Sequence, residues 1–73
     1  MTKTIHTEEY KKISAKLKKA RIDVGLTQLD VSQKLNKPQS YISKAENGEQ
    51  RIDILELKMF AKLYNKDIKY FLN

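Results

Sequence analysis

Residues 36–49, "NKPQSYISKAENGE", include a group of four polar side chains close together in the sequence. Side chains of these types can hydrogen-bond to base edges in a DNA groove. The four residues are Gln39, Ser40, Ser43 and Lys44. Glutamine can form two hydrogen bonds with adenine, lysine can reach the acceptors of guanine, and serine can donate or accept. Ile42 and Ala45 are the apolar residues of the same segment and are expected to anchor it. We therefore expect a short helix that is held by two side chains and presents a polar face outward.

Tyr41 lies among these polar residues, and the sequence leaves its role open. Its side chain could contact the sugar–phosphate backbone, pack on a thymine methyl group, or cover the turn that precedes the helix. We include it among the candidate base-contacting residues. For the polar residues around it, the alternative interpretation is an ordinary solvated helix face that needs no partner.

A helix before this segment must brace it. That helix is predicted at residues 28–35, where Thr27 and Asp30 have the spacing of a capping box. Asn36 can end the helix, because asparagine tolerates the left-handed backbone conformation.

The polar segment itself is predicted to be helical from residue 39 to about residue 46. Pro38 suits the first helical position, which would make Lys37 the N-cap, and lysine is a poor cap. Two helices joined by so short a polar turn have the layout of a helix-turn-helix, here at about residues 28–46.

Three further helices are predicted around this pair. Thr7 is a suitable N-cap for a helix of about 16 residues that Gly25 ends. The apolar stripe of this helix is Tyr10, Ile13, Leu17, Ala20 and Val24. Asp53 and Glu56 have the capping spacing for a fourth helix, and "DIKYFLN" forms a short fifth. Because the chain has only two glycines and one proline, we expect an all-α fold, a compact five-helix bundle.

The predicted fourth helix carries two apolar stripes. The first stripe serves the core and consists of Ile54, Leu57, Phe60, Ala61 and Tyr64. The second stripe consists of Leu55, Met59 and Leu63. A helix that is apolar on two faces needs either more core or a partner. Either the fifth helix covers the second stripe, or the stripe forms a homodimer surface together with Tyr70 or Phe71.

Composition limits the kind of partner. Fifteen Lys and Arg against nine Asp and Glu give a net charge of +6, which fits either a soluble surface or a polyanion such as nucleic acid. The 73 residues fit one domain, predicted at residues 7–73 after a flexible leader at residues 1–6. The chain has no apolar run near the roughly 18 residues of a membrane span, and its N-terminus lacks the core of a signal peptide. We expect a cytoplasmic protein.

Catalysis finds little support in the sequence. The absence of cysteine excludes a thiolate zinc site and a cysteine nucleophile, and His6 is the only histidine. The chain has no glycine-rich phosphate loop and no His/Asp/Glu cluster with the spacing of metal ligands. We expect no catalytic residues, no metal site and no cofactor.

The segments "GLTQ", "QSYIS" and "ENGE" have the spacing found in a known family. From residue 17 to residue 72 the sequence resembles the helix-turn-helix domain of phage repressors and Cro, also called the XRE family. The resemblance implies a lambda-repressor-like DNA-binding fold and double-stranded DNA as the partner.

The resemblance also implies roles for individual residues of the helix pair. Gln28 occupies the place of a glutamine that bonds a phosphate and braces the recognition helix. Gln39 and Ser40 fall where bases are read. Ser43 and Lys44, one turn further on, read or flank the next base pairs.

Residues outside the recognition face are implied to grip the DNA backbone. The predicted phosphate-contacting set is Gln28, Lys37, Asn47 and Arg51. For Arg51 the alternative is a surface ion pair with Glu49 or Asp53. Glu46 is structural in the family and is not assigned to the contact set.

The sequence thus predicts a sequence-specific transcriptional regulator, most simply a dimeric repressor that occupies an operator and associates with the nucleoid. An antitoxin, or another protein-binding module with the same fold, is one alternative. A restriction–modification controller that also activates transcription is another. No feature of the sequence separates a repressor from an activator.

Overall fold

The chain forms five helices in the computed structural model, which describes residues 7–72. The helices are α1 (Glu8–Asp23), α2 (Gln28–Leu35), α3 (Gln39–Glu46), α4 (Ile54–Leu63) and α5 (Ile68–Leu72). None of the residues from 7 to 72 lies in a strand, so the prediction of an all-α fold with five helices is confirmed. The predicted leader at residues 1–6 lies outside the described residues.

Local capping sets the start of three helices. The Thr7 hydroxyl accepts a hydrogen bond of 3.1 Å from a backbone N–H in the first turn of α1, which is 16 residues long. Thr27 and Asp53 begin α2 and α4 with reciprocal capping boxes, whose partners are Asp30 and Glu56. These bonds satisfy N–H groups that have no partner inside a helix, so the boundaries follow from the local sequence.

A residue in the left-handed conformation follows each of the first four helices, and after α3 it is Gly48, with a φ of +76°. Gly25, with a φ of +75°, follows α1, and Asn36, with a φ of +56°, ends α2 as predicted. Asn65 adopts the same conformation, with a φ of +57°, just after α4. Glycine and asparagine are the residues that enter this region at least energetic cost.

Helix α3 has the predicted bounds of residues 39–46, and only its N-cap differs from the prediction. Pro38, rather than Lys37, is the N-cap, with a φ of −61° and a ψ of 149°, and the helix begins at Gln39. The proline ring fixes φ at a value that fits both a cap and a first helical position, so the sequence does not distinguish the two. Because proline has no polar side chain, α3 has no side-chain cap hydrogen bond, and its first N–H groups are left for another acceptor.

The core lies where the five helices meet, and each helix contributes at least one buried apolar residue. α2 packs on α3, α1 packs on both α3 and α5, and α4 packs on α5. The buried apolar residues are Leu17, Ala20, Val31, Ile42, Ala45, Leu57, Phe60, Ala61, Tyr64 and Phe71. Most of the inward residues predicted for α1 and α4 are therefore in place.

Two residues assigned to the apolar stripes of α1 and α4 are exposed, while Tyr10 and Ile13 are half-buried. Val24 is 40% exposed and Ile54 is 55% exposed. Val24 is the C-cap of α1 and Ile54 is the first residue of α4, so each lies at a helix end, past the edge of the packed layer. Among residues 7–72, no helix has the length and apolar content that crossing a membrane requires.

Candidate nucleic-acid interface

The two sides of α3 differ completely in exposure. Ile42 and Ala45 have no exposed surface and lie in the core. On the opposite side Gln39, Ser40 and Lys44 are exposed, while Ser43 is half-buried. The helix is thus fixed by its inner side, and every side chain that was predicted to read bases, apart from Tyr41, retains accessible polar atoms.

Tyr41 is held against the protein rather than extended away from it. Its ring stacks on Phe60, with the ring centroids 6.3 Å apart and the planes 8° from parallel. Its hydroxyl is buried near the Glu56 carboxylate but forms no hydrogen bond of good geometry. Burial, followed by the charge of the nearby Glu56 carboxylate, raises the pKa of this hydroxyl, so it stays protonated at neutral pH. Only the ring of Tyr41 is therefore accessible to a partner.

Lys37 closes the turn between α2 and α3. Its ammonium lies 5.0 Å from the centroid of the Tyr41 ring and 3.4 Å from a carboxylate oxygen of Glu56. The other oxygen of Glu56 accepts the backbone N–H of Asp53 at the start of α4. Lys37 is thus paired with a residue of α4. If Lys37 contacted a phosphate, its charge would be shared between that phosphate and Glu56.

A buried network joins the start of α2 to the end of α3. The Arg21 guanidinium donates from Nε to Glu46 at 2.6 Å and from Nη2 at 3.1 Å, and its Nη1 donates to the Leu26 carbonyl at 2.9 Å. The Gln28 side-chain amide donates to the same Glu46 carboxylate at 3.1 Å. The hydrogen bond to Glu46 raises the pKa of Arg21. Because α1, α2 and α3 each contribute one residue, the network fixes the angle of the helix-turn-helix.

Gln28 keeps a donor that this network does not use. A side-chain amide carries two N–H donors, and the bond to Glu46 occupies one of them. A carboxylate can only accept, so the amide nitrogen must face Glu46. Gln28 is half-buried at the first position of α2. The second N–H is therefore available to a phosphate, and the bracing and phosphate-contacting roles of Gln28 are compatible.

The loop between α3 and α4 presents the remaining predicted phosphate contacts. Asn47 is the C-cap of α3 and is exposed. Arg51 is also exposed, and it forms no ion pair with any residue of the described chain, Glu49 and Asp53 included. Its charge is therefore not neutralised within residues 7–72.

Tyr10 reaches this loop from α1. Its hydroxyl donates to the Gln50 carbonyl and accepts the Ile52 N–H at 2.7 Å. Burial raises the pKa of Tyr10, opposed by the Ile52 N–H and by the charge of Arg51. From the sequence Tyr10 was predicted only as part of an apolar stripe, because helical spacing carries no signal for a contact forty residues away.

The second apolar stripe of α4 is partly open. Leu55 is 66% exposed and Met59 is 40% exposed, whereas Leu63 packs against the core. Tyr70 is half-buried. Phe71, which the sequence analysis offered for the same surface, is 1% exposed and belongs to the core, because α5 packs on α1 and α4 through it. An exposed surface on this side cannot include Phe71.

Comparison with known proteins agrees with this arrangement. A family model for the helix-turn-helix, HTH_3, matches residues 17–71. The chain belongs to this XRE-type helix-turn-helix family, whose members are DNA-binding transcription regulators, and the predicted resemblance is confirmed. Family membership indicates a regulator rather than an enzyme.

A solved structure shows the same fold. The DNA-binding domain of BldD superposes with a TM-score of 0.80, covering 90% of this chain and 96% of that domain at 24% sequence identity. No curated protein matches the sequence.

Proposed function

We propose that the chain binds an operator in double-stranded DNA as a homodimer, with α3 in the major groove, and represses transcription there. The observation that carries the proposal is the division of α3. Ile42 and Ala45 are fully buried, while the predicted base-reading side chains lie on the outer side of the helix. The major groove admits an α-helix, and a helix fixed from behind can hold its outer groups at the base edges.

In this proposal each outer residue of α3 has a distinct task. Gln39 and Ser40 are exposed at the start of the helix, where recognition helices meet the bases. Lys44 reaches guanine acceptors one turn further along, and Ser43 bonds or flanks the neighbouring pair. Tyr41 contributes the accessible part of its ring, which suits a thymine methyl group or a sugar.

Phosphate contacts would set the register of α3 in the groove. Gln28 offers its second amide N–H, and Asn47 and Arg51 offer exposed donors on the loop after α3. Lys37 adds a fourth contact, weakened because Glu56 shares its charge. Phosphate contacts supply affinity that does not depend on sequence, so specificity is left to α3.

Leu55 and Met59 support the homodimer. They lie one turn apart on α4 and are the exposed part of its second stripe. The proposed interface adds Leu63 and Tyr70, which are half-buried. A two-fold dimer covers the same patch on both copies, and it presents two recognition helices to half-sites about one DNA turn apart. Occupying such an operator would exclude RNA polymerase, which is the simplest route to repression in the cytoplasm.

The test begins with an operator selected by the protein from a random DNA pool. Gln39→Ala should weaken binding to that operator by about 1–3 kcal/mol and relax the preference at one base pair. Gln33→Ala is the matched control, because Gln33 is an exposed glutamine on α2 with no predicted contact. If Gln39→Ala matched Gln33→Ala in both affinity and base preference, α3 would not be the reading element.

A further inference from the structure

The Tyr10 hydroxyl bonds the backbone on both sides of one exposed cation. It donates to the carbonyl of Gln50 and accepts the N–H of Ile52 at 2.7 Å, and the residue between these two is Arg51. One phenol on α1 therefore holds the peptide groups that enter and leave Arg51.

Two further contacts limit the motion of the same loop. The Gln50 side-chain amide donates to the Arg51 carbonyl at 3.1 Å. Gly48 is buried with a φ of +76°, and a Cβ on it would lie 3.6 Å from the Ser14 hydroxyl, so the loop also runs close to α1 one turn after Tyr10. The backbone around Arg51 is held, whereas the guanidinium remains exposed and without an ion pair among the described residues.

A held backbone matters for a phosphate contact made from a loop. An arginine on a mobile loop loses backbone and side-chain freedom when it binds, and this loss subtracts from affinity. If the loop is already fixed, only the side-chain part remains.

We propose that Tyr10 is a positioning residue for DNA binding, which fixes the backbone on either side of Arg51 so that the guanidinium is directed at a phosphate. The inference rests on the proposed function, because it presumes that Arg51 meets DNA. Tyr10 itself lies on α1 with its hydroxyl turned to the loop, and it acts on DNA only through Arg51.

The experiment measures binding to a duplex of mixed sequence over a range of salt concentrations. The variants are Tyr10→Phe, Arg51→Ala and the double variant. Tyr64→Phe is the control, because it also removes a buried hydroxyl, one that has no hydrogen-bond partner. Tyr10→Phe retains the ring, and we expect it to weaken binding by about two- to tenfold, the range of one net hydrogen bond.

Two readouts separate positioning from general destabilisation. Losing one phosphate contact makes the negative slope of log affinity against log salt shallower by about 0.9. Tyr10→Phe should make the slope shallower, toward the value for Arg51→Ala. The double variant should bind like Arg51→Ala alone, because Tyr10 has no effect when the guanidinium is gone. Tyr64→Phe should leave both affinity and slope unchanged.

Several results would overturn the inference. If Tyr10→Phe had the affinity and salt slope of the wild type while Arg51→Ala bound DNA more weakly, Tyr10 would not be needed to position Arg51. Multiplicative losses in the double variant would show that Tyr10 acts elsewhere. If Arg51→Ala had no effect, the inference would also fall, whereas the proposed reading role of α3 would still be decided by Gln39→Ala.

Amide exchange keeps the inference testable if Tyr10→Phe does not fold. In the wild-type protein the Ile52 amide should exchange slowly, because its acceptor is the Tyr10 hydroxyl. Exchange of that amide at the rate of an open loop would overturn the inference without any variant.

Discussion

The Arg21 guanidinium and the Glu46 carboxylate form an ion pair of 2.6 Å that is almost withdrawn from solvent, with 12% and 1% of the two side chains exposed. The pair joins α1 to the last residue of α3. Gln28 adds a third donor, so the carboxylate is both neutralised and hydrogen-bonded. A buried charge is tolerated only when it is paired in this way.

Removing one member of this pair should therefore lower the stability of the protein strongly. Glu46→Ala leaves the Arg21 guanidinium without its carboxylate and should lower the free energy of unfolding by about 3–5 kcal/mol, measured by urea denaturation. Glu8→Ala, whose pair with Lys11 is exposed and 3.9 Å long, should cost less than about 1 kcal/mol. The apolar double variant Arg21→Met/Glu46→Leu should be more stable than Glu46→Ala. Equal losses for Glu8→Ala and Glu46→Ala would contradict this reasoning.

The capping box of α2 predicts a stability change in acid. The Thr27 N–H bonded to the Asp30 carboxylate lowers the pKa of Asp30. The pKa of Asp30 is lower in the folded state than in the unfolded state, where it is about 3.9. The stabilisation that the ionised carboxylate gives is therefore complete above the unfolded-state pKa, and it is lost as the pH falls through the folded-state pKa. The difference in urea midpoint between wild type and Asp30→Asn should therefore shrink between neutral and strongly acid pH. A difference that stayed constant over this range would show that the carboxylate charge has no part in capping.

The exposed part of α4 predicts the assembly state. Leu55→Glu puts a charge into the proposed dimer surface, where burying it unpaired is unfavourable. Dimer dissociation should become easier by about tenfold or more, that is by at least ~1.4 kcal/mol. Ile22→Glu is the matched control, because Ile22 on α1 is 58% exposed and lies outside this surface. Sedimentation equilibrium compares them, and a wild-type protein that is monomeric at high concentration with and without DNA would remove the dimer from the proposal.

Tyr41 provides a test of which of its atoms meet DNA. Its hydroxyl is buried and forms no hydrogen bond of good geometry, so Tyr41→Phe should leave operator affinity unchanged and alter the free energy of unfolding by no more than about 1 kcal/mol. Tyr41→Ala also removes the stacking on Phe60 and should destabilise the protein clearly. A loss of operator affinity in Tyr41→Phe, with stability retained, would mean that the hydroxyl turns outward on binding.

The parts of the fold that could be predicted are those set by a few neighbouring residues. Thr27 and Asp30, or Asp53 and Glu56, act within one helical turn, so their spacing alone fixes a helix start. Asn36 ends α2 for an equally local reason. Pro38 was misplaced by one residue because its fixed φ suits two adjacent positions.

Features that join distant segments could not be predicted. Periodicity placed Phe71 on an apolar face but could not say which neighbour covers it, and α5 turns it into the core. The hydroxyl of Tyr10 and the charge of Arg21 both meet partners more than twenty residues away. The sequence therefore predicted which side of α3 is polar and exposed, while the contacts that hold the helix required the packed structure.

The division between the buried and exposed sides of α3 has a consequence for how such a protein can change over evolutionary time. The residues that hold the helix, Ile42, Ala45 and Glu46, point away from Gln39 and Lys44. Substitutions on the outer face should therefore have little effect on folding. Under the proposed function, the recognised DNA sequence can then change one base pair at a time while the protein stays folded.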